Sequence, residues 1–301
     1  MITCRVKFPK IFFEVILILL IIPAFLFAQS QKTKKNKKIC ITFDELPVAT
    51  SFAEPAKDTI TNMILSTLKK HNIKAAGFVV GSKIEANYDL LGRWLNAGHR
   101  LGNLTYSYND YHQLEPTQFI TDIVTGNEAL EPMLSGFGQK PRFFRFPFLH
   151  YGDDLIKKRE VTDFLDEYNI LTAHVTVTVE DYLYNLTVEK NEGVFDSTQF
   201  YELMNEYVNH VLDEIERSEL LSKEVLKRSC RQILQLRANH LNALFLDEML
   251  TQIEKLGYEF VTLDYALRDK LYSAPEAYTG SVGMGYLDML KHSDPDLLPA
   301  E

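Results

Sequence analysis

The sequence is poor in cysteine, with three in 301 residues. Only Cys40 and Cys230 lie beyond the N-terminal apolar segment, and their spacing matches no zinc-binding or redox motif. We therefore expect two buried free thiols. A disulfide between them is the alternative, because both lie in or beside predicted strands that are candidates for neighbours in a sheet.

Positive charge is also scarce. The chain has 32 lysine and arginine residues against 41 acidic ones, for a formal net charge of −9. Such a chain is a poor partner for nucleic acid or for an anionic lipid surface. No glycine-rich phosphate loop is present, no serine lies in a nucleophile elbow, and no internal repeat stands out. The sequence thus gives no sign of phosphate-loop or serine-hydrolase chemistry.

The N-terminus is typical of a secretory signal peptide, predicted at residues 1–28. Three basic residues precede an apolar stretch at residues 15–27, and Ala28 is the small residue before a plausible cleavage point. The apolar stretch is shorter than the ~20 residues that span a bilayer. We expect an exported protein, periplasmic or extracellular. An uncleaved N-terminal anchor is the alternative, and it would be the only membrane contact. Residues 29–38 are predicted to be a basic linker.

The rest of the chain alternates between strand-like and helical segments, which predicts an α/β fold around a parallel sheet. A (β/α) barrel is the favoured topology at this length, with a doubly wound open sheet as the alternative. We predict a single barrel domain at residues 39–278 and a C-terminal tail of surface coil at 279–301. The predicted strands are 39–43, 75–81, 99–103, 143–146, 171–179, 232–236 and 260–263, and the helices 58–70, 89–97, 116–134, 153–168, 197–228 and 241–255.

Polar side chains come directly after several predicted strands. Asp44, Asn103, Arg145, Asp181 and Arg237 each follow an apolar run. In a parallel barrel these positions meet at the C-terminal face, where barrel enzymes place their active sites. The pattern therefore predicts one polar site built from distant parts of the chain.

Five short segments around these residues resemble the motifs of polysaccharide deacetylases of the NodB-homology, carbohydrate esterase type. Residues 41–47 (Ile-Thr-Phe-Asp-Glu-Leu-Pro) are similar to Thr-Phe-Asp-Asp-Gly-Pro. Residues 102–108 (Gly-Asn-Leu-Thr-Tyr-Ser-Tyr) resemble Gly-Asn-His-Thr-x-x-His. Residues 145–148 (Arg-Phe-Pro-Phe) match Arg-x-Pro-Tyr/Phe, and 180–182 resemble a motif that ends in Asp-Trp. The segment 236–243 stands where the family has Leu-His. The resemblance covers nearly all of the chain after the signal segment and implies a distorted (β/α) barrel.

The resemblance implies removal of N- or O-acetyl groups from sugars. In the family a divalent metal such as zinc polarises the acetyl carbonyl and activates water. Asp44 matches the catalytic base, Arg145 the residue that orients it, and Asp181 the acid that tunes the catalytic histidine. Contacts to substrate are expected from the segment 145–148 and from Tyr182, through Arg145, Pro147, Phe148 and the Tyr182 ring.

The family's three essential histidines are replaced in this sequence. Leu104 and Tyr108 stand at two metal-ligand positions, and Glu45, at the third, is the only remnant ligand. Arg237 occupies the position of the general-acid histidine, and a guanidinium does not release a proton near neutral pH. We therefore expect no bound metal at this site. Without metal, Arg237 is expected to pair with Asp44 or Asp181, and the two substituted ligands to fill the cavity.

Loss of a general acid alone costs about 10²–10⁴ in rate, and loss of the metal costs more. The favoured hypothesis is an exported protein that acts on or binds acetylated glycans and is catalytically impaired, or a glycan-binding pseudoenzyme. One alternative is an active deacetylase of a cell-wall or dietary polysaccharide that uses Asp44 and a rebuilt metal site. A second is a structural or regulatory partner of an active homologue. His112, His150, His174 and His240 are the candidates for a rebuilt site, although isolated histidines are the simpler explanation.

Overall fold

The computed structural model describes residues 37–49, 56–191 and 194–293. The predicted signal peptide at 1–28 lies outside these residues, as does most of the predicted linker. Among the described residues, no helix combines the length and the apolar character needed to cross a membrane.

The fold is the predicted distorted (β/α) barrel. In the described part of the chain, a seven-stranded sheet runs in the order β5-β4-β3-β2-β1-β6, with β7 paired to β1. Every strand pair is parallel. The strands are β1 (Lys37–Leu46), β2 (Ala76–Val79), β3 (Arg100–Asn103), β4 (Phe143–Phe144), β5 (Leu171–Thr172), β6 (Arg231–Arg237) and β7 (Tyr258–Phe260).

The chain that follows β5 closes the sheet on itself. Ala173 N donates to Phe144 O at 2.7 Å on one side. A few residues later, Val177 N donates to Ile233 O at 3.1 Å, and Gln235 N donates back to Val177 O at 3.0 Å. The predicted strand at 171–179 is therefore two short pairings, first with β4 and then with β6, which together close the barrel irregularly.

Helices surround this sheet. They are α1 (Ala56–Lys70), α2 (Tyr88–Asn96), α3 (Pro116–Ser135), α4 (Leu155–Glu167), α5 (Asp181–Lys190), α6 (Ser197–Leu226), α7 (His240–Lys255), α8 (Leu263–Ala266) and α9 (Tyr286–His292). Several begin at side-chain caps that the sequence encodes. Glu115 and Gln118 form a capping box at α3, and Asp196 and Gln199 form another at α6.

The alternation of side chains along each strand decides which residues reach the site. On β1, Ile39, Ile41 and Phe43 pack outwards into the core beneath the helices. Cys40, one residue out of phase, joins the barrel interior. Thr42 and Asp44 share that inward phase, because successive strand residues point to opposite faces. The inner face therefore changes from apolar at the bottom to charged at the C-terminal edge.

Both cysteines are buried and free, as expected. Cys40 lies opposite Ile233 in the β1–β6 register, and Cys230 lies just before β6. Burial raises the pKa of each thiol to about 12. Both groups are therefore protonated, unreactive core residues.

Three predicted boundaries were wrong. The last two residues of the predicted linker, Lys37 and Lys38, belong to β1, where Lys38 pairs with Glu259. The last strand is β7, which lies earlier than the predicted 260–263. The predicted coil tail at 279–301 contains helix α9, whose apolar residues are buried. Helix α5, directly after Glu180, was not predicted.

Candidate functional site

Asp44 lies at the inner C-terminal end of β1 and is almost fully buried. Arg145 Nη1 donates to its Oδ1 at 2.8 Å and to Thr42 Oγ1 at 2.9 Å. Gln235 Nε2, from the adjacent strand β6, donates to the other carboxylate oxygen, Oδ2. The carboxylate is thus bound on both oxygens, as a buried charge requires.

Arg145 is fully buried, which is unusual for an arginine. Its Nε donates to Ala173 O at 3.0 Å, and its guanidinium lies 4.2 Å from the centre of the Phe78 ring. The backbone contact and the ring fix the guanidinium plane, so its charge faces Asp44. This geometry matches the orienting role that the sequence predicts.

Arg237, at the end of β6, compensates two carboxylates. Its Nη1 lies 2.7 Å from Asp181 Oδ1, and its Nε lies 3.2 Å from Glu45 Oε1. Its backbone N also donates to Asp181 Oδ2 at 2.6 Å. Burial acts to lower the pKa of Arg237, but the neighbouring acids outweigh it and raise that pKa above its ordinary value. The group is a permanent cation.

Asp181 is fully buried at the first position of α5. Besides Arg237, it accepts a hydrogen bond from Asn242 Nδ2 at 2.8 Å. Asn242 is held in turn by Tyr207, whose hydroxyl donates to its Oδ1 at 2.6 Å. The acid, at the start of α5, is therefore fixed by Arg237 of β6 and Asn242 of α7, and Tyr207 of α6 holds Asn242 in place.

Tyr108 and Leu104 fill the opposite side of the cluster. The Tyr108 hydroxyl donates to Glu45 Oε1 at 3.1 Å. Burial raises the pKa of Tyr108 well above its ordinary value, so the phenol is neutral and acts as a donor. Leu104 is completely buried among apolar side chains that include Phe78. Burial also raises the pKa of Glu45, and Arg237 opposes that effect.

The loops that carry these side chains adopt an uncommon backbone conformation. Glu45, Thr105 and Tyr108 each have φ of 60°, and Phe148 has φ of 57°. Non-glycine residues in this left-handed region are uncommon, and they cluster at functional sites where packing enforces them. Each lies in or beside one of the deacetylase-like segments. The backbone of the site is thus specified even where its side chains have changed.

Two exposed aromatic rings, those of Phe148 and Tyr182, lie at the edge of the Arg237 cluster and are called the rim below. Phe148 is 45% exposed and Tyr182 is 48% exposed. The Tyr182 ring lies 5.0 Å from the Arg237 guanidinium, and the Phe148 ring lies 4.8 Å from the Tyr108 ring. Pro147, next to Phe148 in the chain, is buried. Flat apolar surface beside buried charge suits the faces and hydroxyls of a sugar.

Comparison with known proteins agrees with this architecture. The family model described as polysaccharide deacetylase matches residues 31–164, which include Asp44, Glu45 and Arg145. The resemblance to polysaccharide deacetylases that the sequence predicts is therefore confirmed. At residues 45, 104 and 108 the chain differs from the family motifs that its sequence resembles.

Among curated proteins, the chain is 26% identical over 242 residues to the peptidoglycan-N-acetylglucosamine deacetylase PgdA of Listeria monocytogenes. The match covers 80% of this chain and 41% of that protein, so the chain spans less than half of the relative's length. It is also 30% identical over 106 residues to a peptidoglycan-N-acetylglucosamine deacetylase of Bacillus cereus, covering 35% of this chain and 38% of that one.

Solved structures share the fold. A CE4 family pseudoenzyme from Bacillus anthracis superposes with a TM-score of 0.53 at 18% identity, over 77% of this chain and 66% of the other. The peptidoglycan deacetylase PdaC of Bacillus subtilis superposes with a TM-score of 0.51 at 20% identity, over 77% and 91% of the two chains. At these identities the likeness concerns the fold alone.

The residues at the polysaccharide deacetylase metal position do not fit a metal ion. Leu104 has no lone pair. The Tyr108 phenol is neutral and donates its hydroxyl proton in a hydrogen bond to Glu45. The Arg237 guanidinium pairs with that same Glu45 oxygen, so the remnant ligand is already bound by a permanent cation. A divalent ion beside it would meet like charge and only one protein ligand, where catalytic zinc usually has three.

The sequence predicted most of this constellation. The structure brings Asp44, Arg145, Asp181 and Arg237 to one face, and Arg237 pairs with Asp181 as one of the two predicted options. The other option, a pair with Asp44, was wrong, because Arg145 and Gln235 already bind that carboxylate. Asn103, expected at the same face, instead donates to backbone and side chain of α3.

Three supporting residues were missed: Thr42, Gln235 and Asn242. Thr42 and Gln235 share the inward phase of their strands with Asp44 and Arg237, so strand periodicity was the available signal. The sequence offered no comparable signal for Asn242, because its contact with Asp181 depends on how α7 packs against α5.

Of the remaining histidines, His174 is partly buried within a group of aromatic side chains. It packs between the rings of Tyr151 and Tyr286, with centroids 5.5 Å and 4.0 Å away. Burial lowers its pKa to about 3, so it stays neutral. His240 begins α7 and is partly buried. His112 and His150 lie together and are treated separately below.

Proposed function

We propose that this polysaccharide deacetylase family member binds acetylated glycans at the C-terminal face of its barrel without metal-dependent deacetylation. The observation that carries the proposal is the placement of Arg237 between Asp181 and Glu45. The family's histidine acid is absent there, and the cation blocks the one remaining ligand. Asp44 pairs with Arg145, and its carboxylate is the hydrogen-bond acceptor that we propose for a sugar hydroxyl or amide.

The substrate class follows from the family and from the rim. The family acts on acetylated glycans such as peptidoglycan or chitin. Phe148 and Tyr182 supply exposed rings on either side of the buried charges. A pair of aromatic rings contributes about 0.5–1.5 kcal/mol beyond its buried area, and we expect a ring on a sugar face to contribute on the same scale, about 2–10-fold in affinity.

Binding and turnover are measured on the same samples. Acetylated chito-oligosaccharide, acetylated xylan and peptidoglycan fragments are titrated by calorimetry, and acetate release is followed with and without added zinc. We expect saturable binding to one of these glycans and no acetate release above the buffer rate. Release at a rate typical of enzymes, about 1 s⁻¹ or faster, would favour the active-deacetylase alternative.

Aromatic variants locate the bound glycan. Phe148→Ala and Tyr182→Ala should each weaken binding by about 2–10-fold. Tyr201→Ala is the matched control, because Tyr201 is 59% exposed on α6, outside the rim. If all three variants bind the glycan with the same affinity, the glycan binds elsewhere on the protein. If the parent binds none of the tested glycans, the alternative of a structural or regulatory partner of an active homologue is favoured.

We also propose that the protein is exported. The proposal rests on the predicted signal peptide at residues 1–28. Fractionation of expressing cells should recover the protein outside the cytoplasm, and N-terminal sequencing should begin at Gln29. A protein that starts at Met1 and stays with the membrane fraction would indicate an uncleaved anchor instead.

A further inference from the structure

A second group of potential metal ligands lies apart from the Arg237 cluster. Asp110, His112 and His150 each offer one ligand atom, and these atoms lie within 4.8 Å of one another. Asp110 Oδ1 accepts a hydrogen bond from the His112 backbone N at 2.9 Å and lies 2.6 Å from His150 Nδ1. The two imidazole rings stack 4.0 Å apart and within 5° of parallel. The carboxylate thus holds both histidines in one place.

One atom in this group is left without a partner. His112 Nε2 is enclosed by protein, and no described residue forms a hydrogen bond with it. A buried polar atom without a partner costs about 1–3 kcal/mol. In the neutral tautomer that carries its proton on Nδ1, His112 Nε2 has a lone pair, which suits zinc and similar transition metals.

We propose that Asp110, His112 and His150 bind a divalent transition metal of the zinc type, with a coordination position left open. Two imidazoles and one carboxylate are the ligand set of many catalytic zinc sites, which keep a position for water or substrate. Ligands about 2.1 Å from a tetrahedral ion are about 3.4 Å apart. The widest pair of ligand atoms, at most 4.8 Å apart, must therefore close by about 1.4 Å, and Asp110 Oδ1 must move away from His150 Nδ1 if both atoms bind the ion. An ion lies in the plane of each imidazole that binds it, so one ring must also rotate out of the parallel stack.

The surroundings tolerate a cation. Lys157, whose charge acts on His112, is paired with Asp153 at 3.1 Å, so it adds no uncompensated positive charge. Phe148 lies 5.9 Å from the His150 ring and 4.8 Å from the Tyr108 ring. The metal site therefore borders the same rim as the proposed glycan groove but shares no residue with the Arg237 cluster.

The test is metal binding by the full chain, purified without an affinity tag and stripped with EDTA. We expect one Zn²⁺ per chain by calorimetry, and a visible absorption band of the bound ion with Co²⁺. His112→Phe keeps the ring stack and removes the nitrogens, and Asp110→Asn keeps the shape. Each should weaken zinc binding at least tenfold. His210→Ala is the matched control, because His210 also contacts a carboxylate, Glu180 at 2.9 Å.

Three results would overturn the metal site: no saturable binding, unchanged binding in both His112→Phe and Asp110→Asn, or binding that Glu45→Gln abolishes while His112→Phe preserves it. Circular dichroism and thermal unfolding check that the variants fold, and Asp110→Asn remains decisive if His112→Phe does not. Zinc binding is read without glycan or turnover. A negative zinc titration therefore does not affect the glycan-binding proposal, and a negative glycan titration does not affect the metal-site proposal.

Discussion

Arg237 Nε lies 3.2 Å from Glu45 Oε1, across the two strands whose register places Arg237 opposite Asp44. The same guanidinium binds Asp181, so one cation compensates two buried or half-buried acids. Removal of the cation would leave those acids uncompensated in a medium where charge is poorly solvated. Arg237, which the sequence aligns with the family's general-acid histidine, is therefore expected to stabilise this face of the barrel.

Arg145→Met should destabilise the protein strongly. Arg145 is fully buried against the nearly buried Asp44, and loss of one partner of such a pair costs about 3–5 kcal/mol. Urea unfolding at neutral pH measures the change in the free energy of unfolding. Arg93→Met is the matched control: Arg93 pairs with Asp58 at 2.6 Å, but both side chains are 41% exposed. We expect it to cost less than ~1 kcal/mol. Equal costs would contradict a structural role for the buried pair.

Local sequence pattern predicted the fold and most of the site. Apolar runs that end in polar residues placed Asp44, Arg145, Asp181 and Arg237 at one face, because parallel strands end at a common edge. The pairing of Arg237 with Glu45 was not predicted. It depends on the register of β1 and β6, which pairs Arg237 with Asp44, the residue before Glu45. Glu45 itself has φ of 60°, a backbone conformation that the local sequence did not predict.

Two features that depend on tertiary packing were not predicted from the sequence. His112 and His150 lie far apart in the chain, and only the folded loops stack their rings. Helix α9 is short and is preceded by three closely spaced glycines, so its apolar residues gave little local signal of a helix. Their burial against α6 supplies the stability that intrinsic propensity lacks.

The family's metal site should be recoverable by substitution. Leu104→His, Tyr108→His and Arg237→His together remove the blocking cation and restore the three imidazoles. In a His112→Phe background, which silences the second site, we expect one Zn²⁺ per chain and acetate release above the parent.

The matched control for the restored site keeps Arg237. Leu104→His with Tyr108→His alone should bind zinc more weakly, because the guanidinium still pairs with Glu45. If the triple variant binds no metal by elemental analysis, residues 104 and 108 do not correspond to the family's ligands.

Acid should destabilise the protein partly through His99. Its ring is buried, and its Nδ1 accepts a hydrogen bond from Ala75 N at 3.1 Å. Burial, assisted by Lys74, lowers the pKa of His99 to about 4. The unfolded chain takes up this proton near pH 6.5, so the contribution is complete above that pH and is lost as the pH falls towards 4. The loss amounts to about 3 kcal/mol.

His99→Asn isolates this contribution, since its amide oxygen replaces Nδ1 as the acceptor and does not titrate. Urea unfolding at pH 7, 5.5 and 4 should show a shallower loss of stability in the variant than in the parent. Parallel curves for the two proteins would mean that His99 titrates with its ordinary pKa in the folded state.

Helix α9 should be required for stability although it lies outside the predicted barrel. Leu287 is fully buried in a cluster that includes Leu221 of α6. Leu287→Ala leaves a cavity there and should lower the free energy of unfolding by about 2–5 kcal/mol. Val282→Ala, at a side chain that is 64% exposed, should change it by less than ~0.5 kcal/mol. The support of α6 matters for the barrel, because the Ser218 hydroxyl of α6 donates a hydrogen bond to Thr176 O in the segment that closes the sheet. A difference below ~1 kcal/mol between the two variants would mean that α9 packs too weakly against α6 to stabilise it.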